Sequence, residues 1–169
     1  VDALRGGSVC LWADATASGA SGASFMLEPI LRGRLTGRFE VNVPNPQWPR
    51  VLDCVGAIRE AKPGAVLAVG GGTAMDVSKL ANWLAAQSAE PEAILESPPE
   101  QPAPAPPVIA IPTTAGSGSE ATQFAVVYRD GQKHSVVHAS LRPAAAVVDP
   151  ALTANLPKLP TAHRAEEHT

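Results

Sequence analysis

Three consecutive glycines, Gly70-Gly71-Gly72, stand between the apolar run "AVLAV" and a helical pattern that begins near Thr73. A strand that turns into a helix through glycine gathers unpaired N–H groups and the positive end of the helix dipole at one point, which suits an anion and above all a pyrophosphate. Glycine is needed there because any Cβ would occupy the space a phosphate requires. The strict GxGxxG fingerprint is missing, since Asp76 is the fourth residue after Gly72, and a plain tight turn uses the same residues. A second polar loop, "PTTAGSGSE" at 112–120, follows the apolar run "VIAIP". Its hydroxyls at Thr113, Thr114, Ser117 and Ser119, with glycines at 116 and 118, suit a ligand held at the carboxyl edge of a sheet; a flexible solvated loop is the alternative. Asp14 ends the first apolar stretch, where a carboxylate either accepts hydrogen bonds from a ribose or caps a helix. Three such features at one edge point to a dinucleotide.

Other reactive residues form no site in the sequence. Cys10 and Cys54 lie in apolar stretches without CxxC or zinc spacing, and they read as buried free thiols. His134 and His138 share a phase on a predicted strand, while His163 and His168 lie in a polar tail, so no metal ligand is assigned. Neither Ser117 nor Ser119 has an identifiable base, and GxSxG is absent, which argues against a hydrolase. The net charge of −3 gives no footprint for nucleic acid, and Arg32, Arg34 and Arg38 read as a solvated surface.

The elements that position these residues follow from periodicity. "SVCLWAD", "RFEVNV", "AVLAV", "VIAIP" and "AAAVVDP" read as strands, the third and fourth buried on both faces as in a parallel sheet. Val51, Leu52, Val55 and Ile58 lay one apolar stripe on a helix that Pro63-Gly64 ends; Val77, Leu80, Ala81 and Leu84 lay another. "FAVVY" and "KHSVVH" flank Asp130-Gly131, a hairpin signal. "ATASGASGAS" reads as a loose connection. Seven of the seventeen prolines fall within 88–107, which reads as an exposed polyproline connection inside one domain. Strands alternating with helices imply βαβ units and an α/β, Rossmann-like parallel sheet with helices on both faces and an added β-hairpin.

At this point the chain resembles the iron-containing (group III) alcohol dehydrogenase family, through "VPNP" at 43–46, "VGGGTAMDVSK" at 69–79, "IPTTAGSGSEAT" at 111–122 and "VVDPALTANLP" at 147–157. The hairpin resembles members acting on phosphonoacetaldehyde and related small aldehydes. The resemblance implies an NAD(P)-binding amino-terminal domain followed by an all-helical one. It implies that Asp14 faces the adenosine ribose and favours NAD over NADP by repelling a 2′-phosphate. Gly71, Gly72 and Thr73 would hold the pyrophosphate, with Asp76 near the ribose or nicotinamide. Thr113, Thr114 and Ser117 would line the adenine and phosphate region, Lys133 would reach a ribose hydroxyl, Leu152 would pack near the adenine, and Asn45 is a further contact from the PNP turn.

The family's chemistry is metal-assisted hydride transfer, with Fe2+ or Zn2+ held by one Asp and three His of the helical domain. The matching motif runs through Ala162 and then departs: the glycine position is Ala165 and the metal-Asp position Glu167. The expectation is a dinucleotide-binding domain over 1–160 and a divergent tail at 161–169, with the helical carboxy-terminal domain absent and little activity in this chain alone. Apolar surface left by that absence implies a homo-oligomer or a second chain supplying the helical half, acting on a small alcohol or aldehyde without membrane or nucleic acid. A cytoplasmic location is expected from the cysteine usage and the lack of a signal-peptide pattern. Two competing readings are a non-catalytic nucleotide- or partner-binding module and a dehydroquinate synthase-like sugar-phosphate cyclase.

Overall fold

The computed structural model describes residues 7–41 and 45–154. Five strands form one parallel sheet in the order β2-β1-β3-β4-β7: β1 (Val9–Ala13), β2 (Leu35–Glu40), β3 (Ala65–Gly70), β4 (Val108–Pro112) and β7 (Ala145–Ala146). Helices α1 (Ala15–Ala20) and α2 (Ala23–Leu31) connect β1 to β2; α3 (Trp48–Ala61) leads to β3; α4 (Gly72–Ala86) and α5 (Pro91–Glu96) lead to β4. A separate antiparallel pair, β5 (Phe124–Arg129) and β6 (Gln132–Val137), makes the hairpin. Asp130 and Gly131 at its tip have φ of 52° and 75°, the left-handed pair that a two-residue hairpin turn requires.

Strand alternation divides the core in two. Trp12, Val66, Ala68 and Ala110 belong to a cluster with α3 and α4, whereas Val9, Leu11, Leu67, Val69, Ile109 and Ile111 belong to a cluster with α2. Helices therefore cover both faces, and the central strands are apolar on both because neither side meets water. Helix α4 is buried without a break from Ala74 to Leu84. Truncating Leu80, which is fully buried there, to alanine carries a cost of about 2–5 kcal/mol. Both cysteines are buried and free. Burial pushes the Cys54 thiol up to about 12 despite the favourable field of Arg50.

Four readings from the sequence need correction. "ATASGASGAS" is not a loose connection, because Asp14 caps α1 and Gly22, at φ 79°, turns the chain into α2. The proline-rich segment holds α5, which Pro91 starts from its first turn and which Pro91 and Ile94 anchor by burial. Beyond it, the Gln87 amide takes the Ala103 N–H at 2.8 Å and donates to the Ala103 carbonyl at 3.2 Å, so the segment is pinned to the end of α4 while Pro98 and Pro104 stay exposed. The second strand is centred earlier than "RFEVNV", ending at Glu40, and "AAAVVDP" contributes only a two-residue strand, with Val147 and Val148 exposed.

Candidate functional site

The strand order reverses direction between β1 and β3: the chain leaves β1 toward β2 and leaves β3 toward β4. Ligands of open α/β sheets bind in the crevice outside the carboxyl ends of the strands at such a switch point. Asp14 and Gly70 are the residues at those two ends.

Gly70 has φ 148°, and a Cβ there would lie 2.8 Å from the Ala74 Cβ and 3.3 Å from the Asp14 Cβ. The position is thus closed to side chains by backbone conformation and by packing. Gly71 caps α4 without any side chain, and the positive helix end stands at this turn. The loop after β4 is fixed beside this turn by the Thr113 N–H, which donates to the Gly70 carbonyl at 2.9 Å. It turns through Gly116 and Gly118, at φ 96° and 64°, and crosses the first turn of α4. A Cβ on Gly72 would sit 3.0 Å from the Ser117 Cβ. Gly72 thus packs directly beneath Ser117, which would have to give by a few tenths of an ångström to admit a larger residue.

The remaining predicted residues fall into distinct surroundings. The Asp14 Oδ1 accepts the Ala17 N–H at 2.9 Å and so caps α1. Thr73 and Thr114 are half-buried on the two turns. Thr113 is 1% exposed, and its Oγ1 has no protein partner, an arrangement that costs about 1–3 kcal/mol unless something else satisfies the hydroxyl. Asp76 is buried: its Oδ1 accepts the Ser119 hydroxyl at 2.9 Å and its Oδ2 accepts the Val126 N–H at 3.0 Å. Asn45 is exposed just before Pro46, whose carbonyl accepts the Tyr128 N–H at 2.7 Å and ties the turn to β5. Lys133 is exposed on β6 opposite Tyr128. Leu152 is buried in the cluster that holds Ala13, Val69 and Ile111.

Sequence reasoning passed over Lys79. Its ammonium is 3.4 Å from the Asp76 Oδ1 and donates to the carbonyls of Ser119 at 3.0 Å, Thr122 at 3.4 Å and Phe124. Burial lowers its pKa, with the Asp76 charge and hydrogen bond opposing the shift. The available signal was an Asp and a Lys three apart in a helix whose other residues are mostly apolar or small.

Among the described residues no three His, Cys, Asp or Glu side chains converge as metal ligands. His138 stacks on Trp83 at 5.2 Å and accepts the Ser140 N–H, which occupies it structurally. His163, Glu167 and His168 lie outside the described residues.

The family model for iron-containing alcohol dehydrogenases matches residues 2–150. The chain is 39% identical over 124 residues to the probable alcohol dehydrogenase EutG of Escherichia coli, covering 71% of this chain and 31% of that protein. It is 38% identical over 121 residues to the phosphonoacetaldehyde reductase of Streptomyces viridochromogenes, covering 64% of this chain and 30% of the relative. The sulfoacetaldehyde reductase of Bifidobacterium kashiwanohense, solved with NAD+, superposes with a TM-score of 0.83 at 32% identity over 93% of this chain and 42% of that one. The chain therefore spans about a third of the length of the curated relatives it matches. With the glycine turn, the serine-threonine loop and the parallel sheet in the family's order, this chain belongs to the iron-containing alcohol dehydrogenase family.

Proposed function

We propose that this chain is the NAD(P)-binding part of an iron-type alcohol dehydrogenase or aldehyde reductase that interconverts a small alcohol and its aldehyde. The observation that carries the reading is the crevice between two loops at the switch point. Gly72 packs against Ser117 at its edge, with the buried, unpartnered Thr113 hydroxyl on the same loop. A dinucleotide fits that arrangement through Gly71, Gly72 and Thr73 at its pyrophosphate and Thr113, Thr114 and Ser117 along the second loop. When bound, it would accept a hydride from the alcohol carbon or, in its reduced form, give one to the aldehyde carbonyl carbon. The chain's own contribution is to fix the phosphates with backbone N–H groups and the α4 dipole, without a competing side chain. The Asp14 carboxylate, at the adjoining strand end, would favour NAD by repelling a 2′-phosphate. Among the described residues no metal ligand set converges. The relatives named for phosphonoacetaldehyde and sulfoacetaldehyde suggest small aldehydes carrying an anionic group as the substrate class.

Titration of the purified chain with NADH and NADPH tests the reading, with energy transfer from Trp12, Trp48 and Trp83 to the nicotinamide as the signal. Saturable binding that Gly72→Val abolishes, while the variant stays folded, is the expected outcome. No saturation at millimolar cofactor would remove the nucleotide site and leave a partner-binding module as the better account.

A further inference from the structure

Lys79 is the least expected side chain in the molecule. A lysine 1% exposed in the middle of an apolar helix is costly in its charged form unless every proton finds an acceptor. Here the acceptors come from outside the helix. The carbonyls of Ser119, Thr122 and Phe124 turn inward from the end of the second loop and the start of β5, and Asp76 neutralises the charge from one turn back on α4. Asp76 grips the same segment through the Ser119 hydroxyl and the Val126 N–H. An ammonium has three donors in a tetrahedral array, which a hydroxyl or an amide cannot replace at converging carbonyls.

The location of this knot matters more than its strength. The loop between β4 and β5 is anchored at one end by Thr113 on the Gly70 carbonyl and at the other by Lys79. Ser117 lies between the anchors, over Gly72. The seat of Ser117 on α4 therefore depends on where the far anchor holds the loop. We infer that Lys79 is a positioning residue for the site: acting through residues 113–123, it seats Ser117 on the first turn of α4 and so preforms the paired turns that would hold a pyrophosphate. The inference rests on the nucleotide reading proposed above. A purely architectural lysine would affect stability alone, or all ligands equally. A positioning lysine affects ligands that carry the pyrophosphate and spares those without it.

Lys79→Met separates the two, measured on the full chain well below its unfolding temperature. The ligands are NADH, ADP and adenosine, and amide hydrogen exchange is followed through residues 113–126. The variant should weaken NADH and ADP by about tenfold or more, through lost preorganisation of the loop, and adenosine by less than roughly threefold, no more than one ordinary hydrogen bond provides. Exchange at Ser117, Gly118 and Val126 should quicken. Ser119→Ala, which removes only the hydroxyl given to Asp76, should show the same pattern at roughly threefold for ADP, and it decides the matter if Lys79→Met does not fold. Folded variants that bind ADP as tightly as the unsubstituted chain, or that lose ADP and adenosine in parallel, overturn the inference. Failure of the unsubstituted chain to bind either NADH or ADP overturns the nucleotide reading and this inference together, and is recognisable because it precedes any substitution.

Discussion

Two strand-to-helix turns stand side by side at the carboxyl edge of the sheet, and they solve the same problem in opposite ways. After β1, Asp14 caps α1 with its own carboxylate, so the helix start is already supplied with an acceptor. After β3, Gly71 caps α4 without a side chain, Gly70 leaves no room for one, and Gly72 packs beneath Ser117. A helix start leaves N–H groups that must find acceptors somewhere. A turn that answers this need with its own side chain is architecture; a turn whose cap brings no side chain, beside an unpartnered buried hydroxyl, is the one we propose for a ligand. The turns touch at Gly70, where a Cβ would meet both Ala74 and Asp14.

The strongest way to break the comparison is therefore Gly70→Ala. At φ 148° alanine is strained, and its Cβ would overlap Ala74 at 2.8 Å. Strain and overpacking together should cost about 2–4 kcal/mol. At this chain length that lowers the unfolding temperature by roughly 6–12 °C, read by thermal circular dichroism. A fall of no more than a degree or two would mean that the turn tolerates side chains and was never shaped by their exclusion.

The open turn was legible in the sequence and the closed one was not, for a physical reason. "AVLAVGGGTAMDVSKL" passes from a continuous apolar run to a helical stripe through glycine, and each part has its own period. "ATASGASGAS" has no stripe, because alanine, serine and glycine are too small to mark a buried face, and helix α1 exists by virtue of the Asp14 cap. Helix α5 was hidden by composition, since the proline that reads as a breaker is a good first residue. The hairpin turn was legible because Asp130-Gly131 takes up two positive φ angles that few other pairs accept. Lys79 was missed because a charged residue on a helix is ordinarily solvated, and only the tertiary fold brings the three carbonyls to it. At the site, the residues on the two loops come together, with Thr113 hydrogen-bonded to Gly70 and Ser117 over Gly72, while Asn45 and Lys133 are exposed on other elements. Spacing along a chain does not determine which surface turns share a crevice.

A smaller effect sharpens the open side. Thr113→Val replaces the unpartnered hydroxyl with a methyl of the same shape. Because Oγ1 has no protein acceptor or donor to lose, the folded chain should be unchanged or more stable by up to about 1–2 kcal/mol. Affinity for NADH should nevertheless fall, by roughly three- to tenfold if the ligand is what satisfies that oxygen. Calorimetric unfolding beside the same titration reads both quantities. Stability and affinity falling together would show that the hydroxyl serves the fold, and the distinction between the two turns would lose one of its supports.

The smallest effect concerns the closed side and asks whether Asp14 has a second role. Asp14→Ala removes the cap and should cost about 1 kcal/mol, a shift of roughly 2–4 °C at this length. Asp14→Asn keeps an oxygen able to accept the Ala17 N–H and removes only the charge, so its loss should stay within about 0.3–1 kcal/mol, the value of a carboxylate at a helix start. Capping needs the oxygen, whereas discrimination against a 2′-phosphate needs the charge. The two substitutions should therefore differ in stability yet agree in raising NADPH affinity relative to NADH. If the asparagine variant leaves that ratio where it was, the carboxylate serves α1 alone, and cofactor preference must be decided on the open turn or its serine-rich neighbour.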